Sequence, residues 1–84
     1  MKESKYQKKL IDEYTAKGYF VIKLIKCNIN GLPDLLCLKK GETPLFIEVK
    51  NERGIVSELQ KYRIQQLNEL GFDAKIMRYE KYTK

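Results

Sequence analysis

The segment LFIEVK, Leu45 to Lys50, sets a carboxylate and an ammonium two residues apart in the most apolar strand that the chain predicts. Side chains alternate between the faces of a strand, so Phe46, Glu48 and Lys50 share one face and Leu45, Ile47 and Val49 the other. Charges in such a strand are costly unless they are paired or bind a metal. Asp34 opens the preceding apolar run, DLLCL, and a hairpin whose turn centres near Gly41 brings it level with Glu48 or Val49. Two carboxylates and a lysine then converge. The chain contains no His, which removes Ser-His and Cys-His nucleophile pairs and imidazole acid–base chemistry. Catalysis would rest on carboxylates, Lys, Tyr or a metal held by oxygen. The competing reading is an edge strand whose Glu48 and Lys50 are cross-paired surface charges.

The elements around this cluster follow from periodicity and punctuation. From Glu3 to Lys17 the residues Glu3, Gln7, Leu10 and Tyr14 recur at helical spacing with Ile11 beside them, and Gly18 caps the end. Tyr19 to Lys26 (YFVIKLIK) reads as a strand and Cys27 to Pro33 as a loop. Asp34 to Leu38 and Leu45 to Lys50 make a hairpin across the turn KKGETP. A helix runs from Ser57 to about Leu70, with Leu59, Ile64, Leu67 and Leu70 as its apolar residues, and Gly71 stops it. Asp73 to Arg78 is the last strand, and the tail KYTK is expected to fray. The order helix, three strands, helix, strand gives an α/β fold: a mixed central sheet flanked by helices. The second helix is long enough to be a crossover, which makes the third and fourth strands parallel. Glu3 and Gln7, and separately Gln60, stand on otherwise apolar helical stripes, as if both helices presented a polar tip to one site. For Gln60 a capping box with Ser57 competes, and for Glu3 an ordinary acid in a first turn.

Composition bounds what this cluster serves. Eighty-four residues and 10.0 kDa make one domain, 1–84, with 43% hydrophobic and 33% charged residues, which excludes collagen-like and disordered low-complexity chains. No apolar stretch approaches the ~18 residues that span a bilayer, and no secretory signal opens the chain; the expectation is a cytosolic protein with no membrane contact. Cys27 and Cys37, without His, cannot complete a four-ligand zinc site and are expected to be buried apolar fillers. Seventeen basic against eleven acidic residues give +6 and point to a polyanionic partner, although an ordinary soluble basic domain would carry the same balance. Residues 1–30 hold seven bases and three acids, 31–60 four and five, and 61–84 six and three. A carboxylate site between basic ends suits a nucleic-acid enzyme. At this length folding buries only ~60% of the chain's surface, so a homodimer is the sensible expectation.

Pro33-Asp34 followed by Glu48-Val49-Lys50 resembles the PD…(D/E)XK pattern of the PD-(D/E)XK nuclease superfamily, which has the restriction endonuclease-like core of order αβββαβ. The fuller string GLPDLL…FIEVK…G…S..Q resembles the VRR-NUC family within it. Glu3, Gly31, Pro33, Asp34, Glu48, Lys50, Gly54, Ser57, Gln60 and Gly71 fall in order on the expected elements across nearly the whole chain. Members of this size are similar to small phage and bacterial nucleases. One departure is the loop Cys27-Asn28-Ile29-Asn30, where basic residues would be expected.

The resemblance implies phosphodiester hydrolysis. Asp34, Glu48 and the backbone carbonyl of Val49 would hold Mg2+ or Mn2+, with Glu3 joining directly or through water. Lys50 would orient the attacking water or neutralise charge on phosphorus, and Gln60 would position water or phosphate. No small-molecule cofactor is implied. Lys5, Lys8, Lys9, Lys23, Lys26, Arg53 and Lys61 are candidates for gripping the DNA backbone, each equally readable as a solvated charge. With no base-reading module, DNA shape is the expected determinant, so the reading is a structure-selective endonuclease of branched DNA, similar to a Holliday junction resolvase. The alternatives are a non-catalytic nucleic-acid-binding module on a nuclease scaffold, and a protein-interaction domain with an incidental charge pattern.

Overall fold

A computed structural model describes residues 1–80 in the order α1 (Glu3–Ala16), β1 (Phe20–Lys23), β2 (Leu35–Leu38), β3 (Leu45–Lys50), α2 (Glu58–Glu69) and β4 (Asp73–Arg78). The KYTK tail, for which fraying is expected, lies outside the described residues. The four strands form one sheet in the order β1-β2-β3-β4. The first three pair antiparallel, and β4 joins β3 in parallel after the α2 crossover. The α/β class, the element order and the mixed sheet are therefore as the sequence predicts.

The two helices cover the sheet unequally. The stripe Tyr6, Leu10 and Tyr14 packs on Leu35, Cys37, Ile47 and Val49, and this is the main core. Truncating a side chain as fully enclosed as Leu10 costs about 2–5 kcal/mol. Tyr6 takes the place that spacing assigns to Gln7: a repeat of four through residues 6, 10 and 14 aligns three apolar side chains, and Gln7 is left half-buried at its margin. On the other sheet face α2 packs on β4. There Leu67 is buried and Ile64 half-buried, but Leu59 and Leu70, expected among the apolar contacts, are 42% and 66% exposed. Beside them the row Ile22, Leu36, Phe46 and Ala74 crosses the sheet by register, and Phe20 on the edge strand is 69% exposed.

Other differences are local. Strand β1 ends at Lys23 and not Lys26. The last bond of that pairing runs from the Leu24 N–H to the Asp34 carbonyl, and Ile25 and Lys26 lie beyond the strand. Cys37 is buried as expected, whereas Cys27 falls in this departing loop and is exposed. Among the described residues no helix is long and apolar enough to cross a membrane.

Candidate active site

The β2–β3 register pairs Leu35 with Ile47 and thereby sets Asp34 opposite Glu48. Strand β3 lies between β2 and β4, so Glu48 and Lys50 are not on an edge: they are 2% and 9% exposed. The Val49 N–H donates to Asp34 Oδ2 at 2.8 Å, which turns the aspartate onto β3 where β2 has ended. A strand residue's carbonyl points to the same side as its N–H, so the Val49 carbonyl is directed toward Asp34 as well.

Glu48 Oε2 accepts a hydrogen bond from Gln60 Nε2 at 3.0 Å and pairs with Lys50 Nζ at 3.3 Å. Its Oε1 is buried with no partner among the described residues. Burial, then the negative charge of Asp34, pushes the Glu48 carboxyl up to about 7; Lys50 pulls the other way and Glu3 adds to the rise. A buried carboxylate oxygen without a donor costs free energy unless a proton or a cation satisfies it.

The two readings of Gln60 are both realised. Its Oε1 accepts the Ser57 N–H at 3.0 Å and its backbone N–H donates to Ser57 Oγ at 3.1 Å, completing the capping box. Its free amide nitrogen then reaches Glu48. The cap fixes the side chain that holds the carboxylate.

Glu3 is half-buried at the start of α1, where its Oε2 accepts the Asn51 N–H at 3.4 Å. It lies beside Lys50 across Gly54: a Cβ on Gly54 would stand 3.0 Å from Lys50 Cδ and 3.2 Å from Glu3 Oε2. Among the described residues no three His, Cys, Asp or Glu side chains form a ready cation cage. The oxygen set is thus Asp34, Glu48 and the Val49 carbonyl, with Glu3 near Lys50 and close enough for its charge to act on Glu48. Gly54→Ala is expected to displace the lysine by a few tenths of an ångström and to lower the rate of whatever hydrolysis the site performs about tenfold. Melting within a few degrees of wild type, with binding retained, would assign that loss to the site.

The basic candidates divide. Lys8 pairs with Asp12 at 3.1 Å, Lys9 with Glu13 at 3.9 Å and Lys61 with Glu58 at 3.2 Å, each within its own helix. Such exposed pairs are worth about 0–1 kcal/mol and yield readily to a phosphate. Lys5, Lys23 and Lys26 are exposed and form no ion pair among the described residues. Arg53 is exposed, and its backbone N–H bonds Asn51 Oδ1 at 3.0 Å, inside the turn that follows β3.

Supports that the sequence reading did not identify hold both flanking loops. Arg78 on β4 donates through Nη1 to the Asn51 and Gly54 carbonyls, strapping the turn over Lys50. On the other side, Arg63 Nε donates to the Asn30 carbonyl at 2.8 Å, and Leu59 sits against Gly31. Gly31 has φ of +82°, and a Cβ there would lie 2.6 Å from Leu59 Cγ, so the position requires glycine twice over. The available sequence signal was the i, i+3 spacing of Arg63 from Gln60.

Comparison with curated proteins and with solved structures returns no match. The family model for the VRR-NUC domain matches residues 1–80. That span carries the αβββαβ order, the Asp34–Glu48 opposition and the capped Gln60, and with it the chain belongs to the VRR-NUC domain family, a nuclease-type domain.

Proposed function

We propose that the chain is a divalent-metal-dependent endonuclease that cuts branched DNA, in the manner of a Holliday junction resolvase, as a homodimer. The observation that carries the reading is Glu48 Oε1, a buried carboxylate oxygen facing no donor, two residues from a buried lysine and opposite Asp34. A hard-oxygen set of this kind fits Mg2+ or Mn2+, which prefer carboxylate, carbonyl and water ligands. Asp34, Glu48 and the Val49 carbonyl would hold the ion, with Glu3 reaching it through water. When bound, such an ion lowers the pKa of water and polarises the phosphoryl oxygen.

The chain's own groups supply the rest. Lys50 Nζ, held by Glu48 at 3.3 Å and covered by the turn at Gly54, is a fixed positive charge beside the position where negative charge develops on phosphate. Gln60 orients Glu48 so that Oε2 is occupied and Oε1 is presented. The Asp34–Val49 bond keeps the second carboxylate in register. The net charge of +6 and the exposed Lys5, Lys23 and Lys26 favour a polyanion without reading its sequence. Dimerisation is supported by the thin one-sided core and by the exposed apolar residues Phe20, Leu59 and Leu70.

The substrate class is tested by cleavage of a labelled four-way junction beside a flap, a linear duplex and a single strand. Cuts restricted to the branched substrates are expected. Equal cutting of the linear duplex would overturn the structure-selective reading.

A further inference from the structure

Arg63, like Arg78, is immobilised by neutral groups and pairs with no carboxylate among the described residues, but it alone of the two holds the loop that leads to Asp34. Its Nε donates to the Asn30 carbonyl at 2.8 Å, its Nη1 donates to Gln66 Oε1 at 3.1 Å, and its guanidinium lies 5.3 Å from the Tyr62 ring centroid. All three anchors are neutral. No carboxylate pairs with it among the described residues, in contrast to Lys8, Lys9 and Lys61.

A guanidinium has five N–H donors. Two are used by Asn30 and Gln66, so three remain on a head group whose orientation is already fixed. Most of the entropy that a free arginine loses on binding has thus been given up within the fold. The location is equally specific. Arg63 is three residues after Gln60, which puts their Cβ atoms about 5–6 Å apart on one helix face, and Gln60 touches Glu48. The carbonyl that Arg63 holds belongs to the loop leading through Gly31 and Pro33 to Asp34.

We propose that Arg63 is a preformed phosphate-binding fork that takes the phosphate of a nucleotide flanking the scissile linkage. This rests on the endonuclease reading above and adds a substrate-strand contact to it. The same residue that positions the Asp34 loop would sense the DNA backbone, so the strand would be aligned with the carboxylates by one rigid side chain. A fork of fixed donors suits a tetrahedral phosphate oxygen pair better than a mobile ammonium does.

The test measures binding in EDTA, so that cutting plays no part, using a four-way junction with single neutral methylphosphonate linkages introduced one at a time around the cut position. The proteins are wild type, Arg63→Gln and Arg63→Lys. A Gln amide can still donate to the Asn30 carbonyl, so a role limited to holding the loop would be rescued by Arg63→Gln. The expectation is that wild type binds roughly tenfold more weakly when one particular flanking linkage is neutral. Arg63→Gln should bind the all-phosphate junction weakly to a similar degree, with a salt slope lower by about one. It should be indifferent to that linkage while remaining sensitive elsewhere, and Arg63→Lys should fall between.

Wild-type affinity in Arg63→Gln, or a uniform loss that leaves the linkage effect intact, would overturn the proposal and leave the endonuclease reading standing. Absence of DNA binding by the wild type would instead overturn both.

Discussion

Glu48→Gln is expected to stabilise the metal-free protein above pH 7, by about 3 kcal/mol. In the folded chain the Glu48 carboxyl is pushed up to about 7, whereas an exposed glutamate titrates near its ordinary 4.5. Between these values the folded state binds more protons than the unfolded one, so stability falls as pH rises from about 4.5 to about 7 and is level above that. A tenfold change in proton affinity is worth about 1.4 kcal/mol. The attraction of Lys50 is already contained in the raised value: burial and Asp34 outweigh it. An isosteric amide keeps the carboxyl's shape without its charge, and so removes the penalty.

Thermal melts of both proteins from pH 5 to pH 8 in EDTA read this directly. Wild type should lose on the order of 10 °C across the range, and Glu48→Gln should lose much less. Saturating Mn2+ should return the wild type toward its low-pH stability at pH 8 and leave the variant unmoved. Parallel pH profiles for the two proteins would contradict the assignment.

Lys50→Met should lower the rate of DNA cleavage by at least ~10^2-fold while changing DNA affinity only a few-fold. Removing a fixed charge aimed at developing negative charge has effects of this size. The ammonium is also one of the groups that hold the Glu48 carboxyl down. Its loss should therefore raise that carboxyl further and move the onset of Mn2+ binding to higher pH. Lys50→Arg is not expected to rescue, because a planar guanidinium presents its donors differently from an ammonium and the space beside Gly54 is narrow enough that even an added Cβ would stand 3.0 Å from Lys50 Cδ. Single-turnover cleavage and a pH series of Mn2+ titrations measure the two effects separately. A rate loss below tenfold in Lys50→Met would sink the role.

Much of the arrangement is legible in the sequence because it depends on short-range rules. The period of two in LFIEVK puts Glu48 and Lys50 on one face, and the length of the KKGETP turn puts Asp34 level with them. Both follow from strand geometry, and the observed register has Asp34 opposite Glu48. Gly18 and Gly71 mark the helix ends for the same local reason, and both adopt positive φ.

What escapes is set by tertiary contact. A free thiol behaves as a small apolar group, so Cys27 is expected inside, yet the loop that begins with it leaves it exposed while Cys37 on β2 is buried. Leu59 and Leu70 obey helical periodicity, yet α2 packs mainly on β4 and leaves them exposed. Gln60 reads as a cap or as a site residue because a side chain's two polar ends cannot be apportioned from spacing; its oxygen caps and its nitrogen reaches Glu48. Arg63 and Arg78 bond main-chain carbonyls of distant loops, and such partners carry no side-chain identity for a pattern to detect.

The central proposal is that Glu48, through a bound divalent cation, makes this nuclease-type domain a metal-dependent endonuclease of branched DNA. Its most direct test is one experiment on wild type and Glu48→Gln: a labelled four-way junction incubated with Mg2+, with Mn2+ and with EDTA, with junction binding measured in parallel. The wild type is expected to cut with either metal and not in EDTA, and Glu48→Gln to bind the junction without cutting it. Cleavage that persists in Glu48→Gln or in EDTA, or binding by the wild type without any metal-dependent product, would contradict the account.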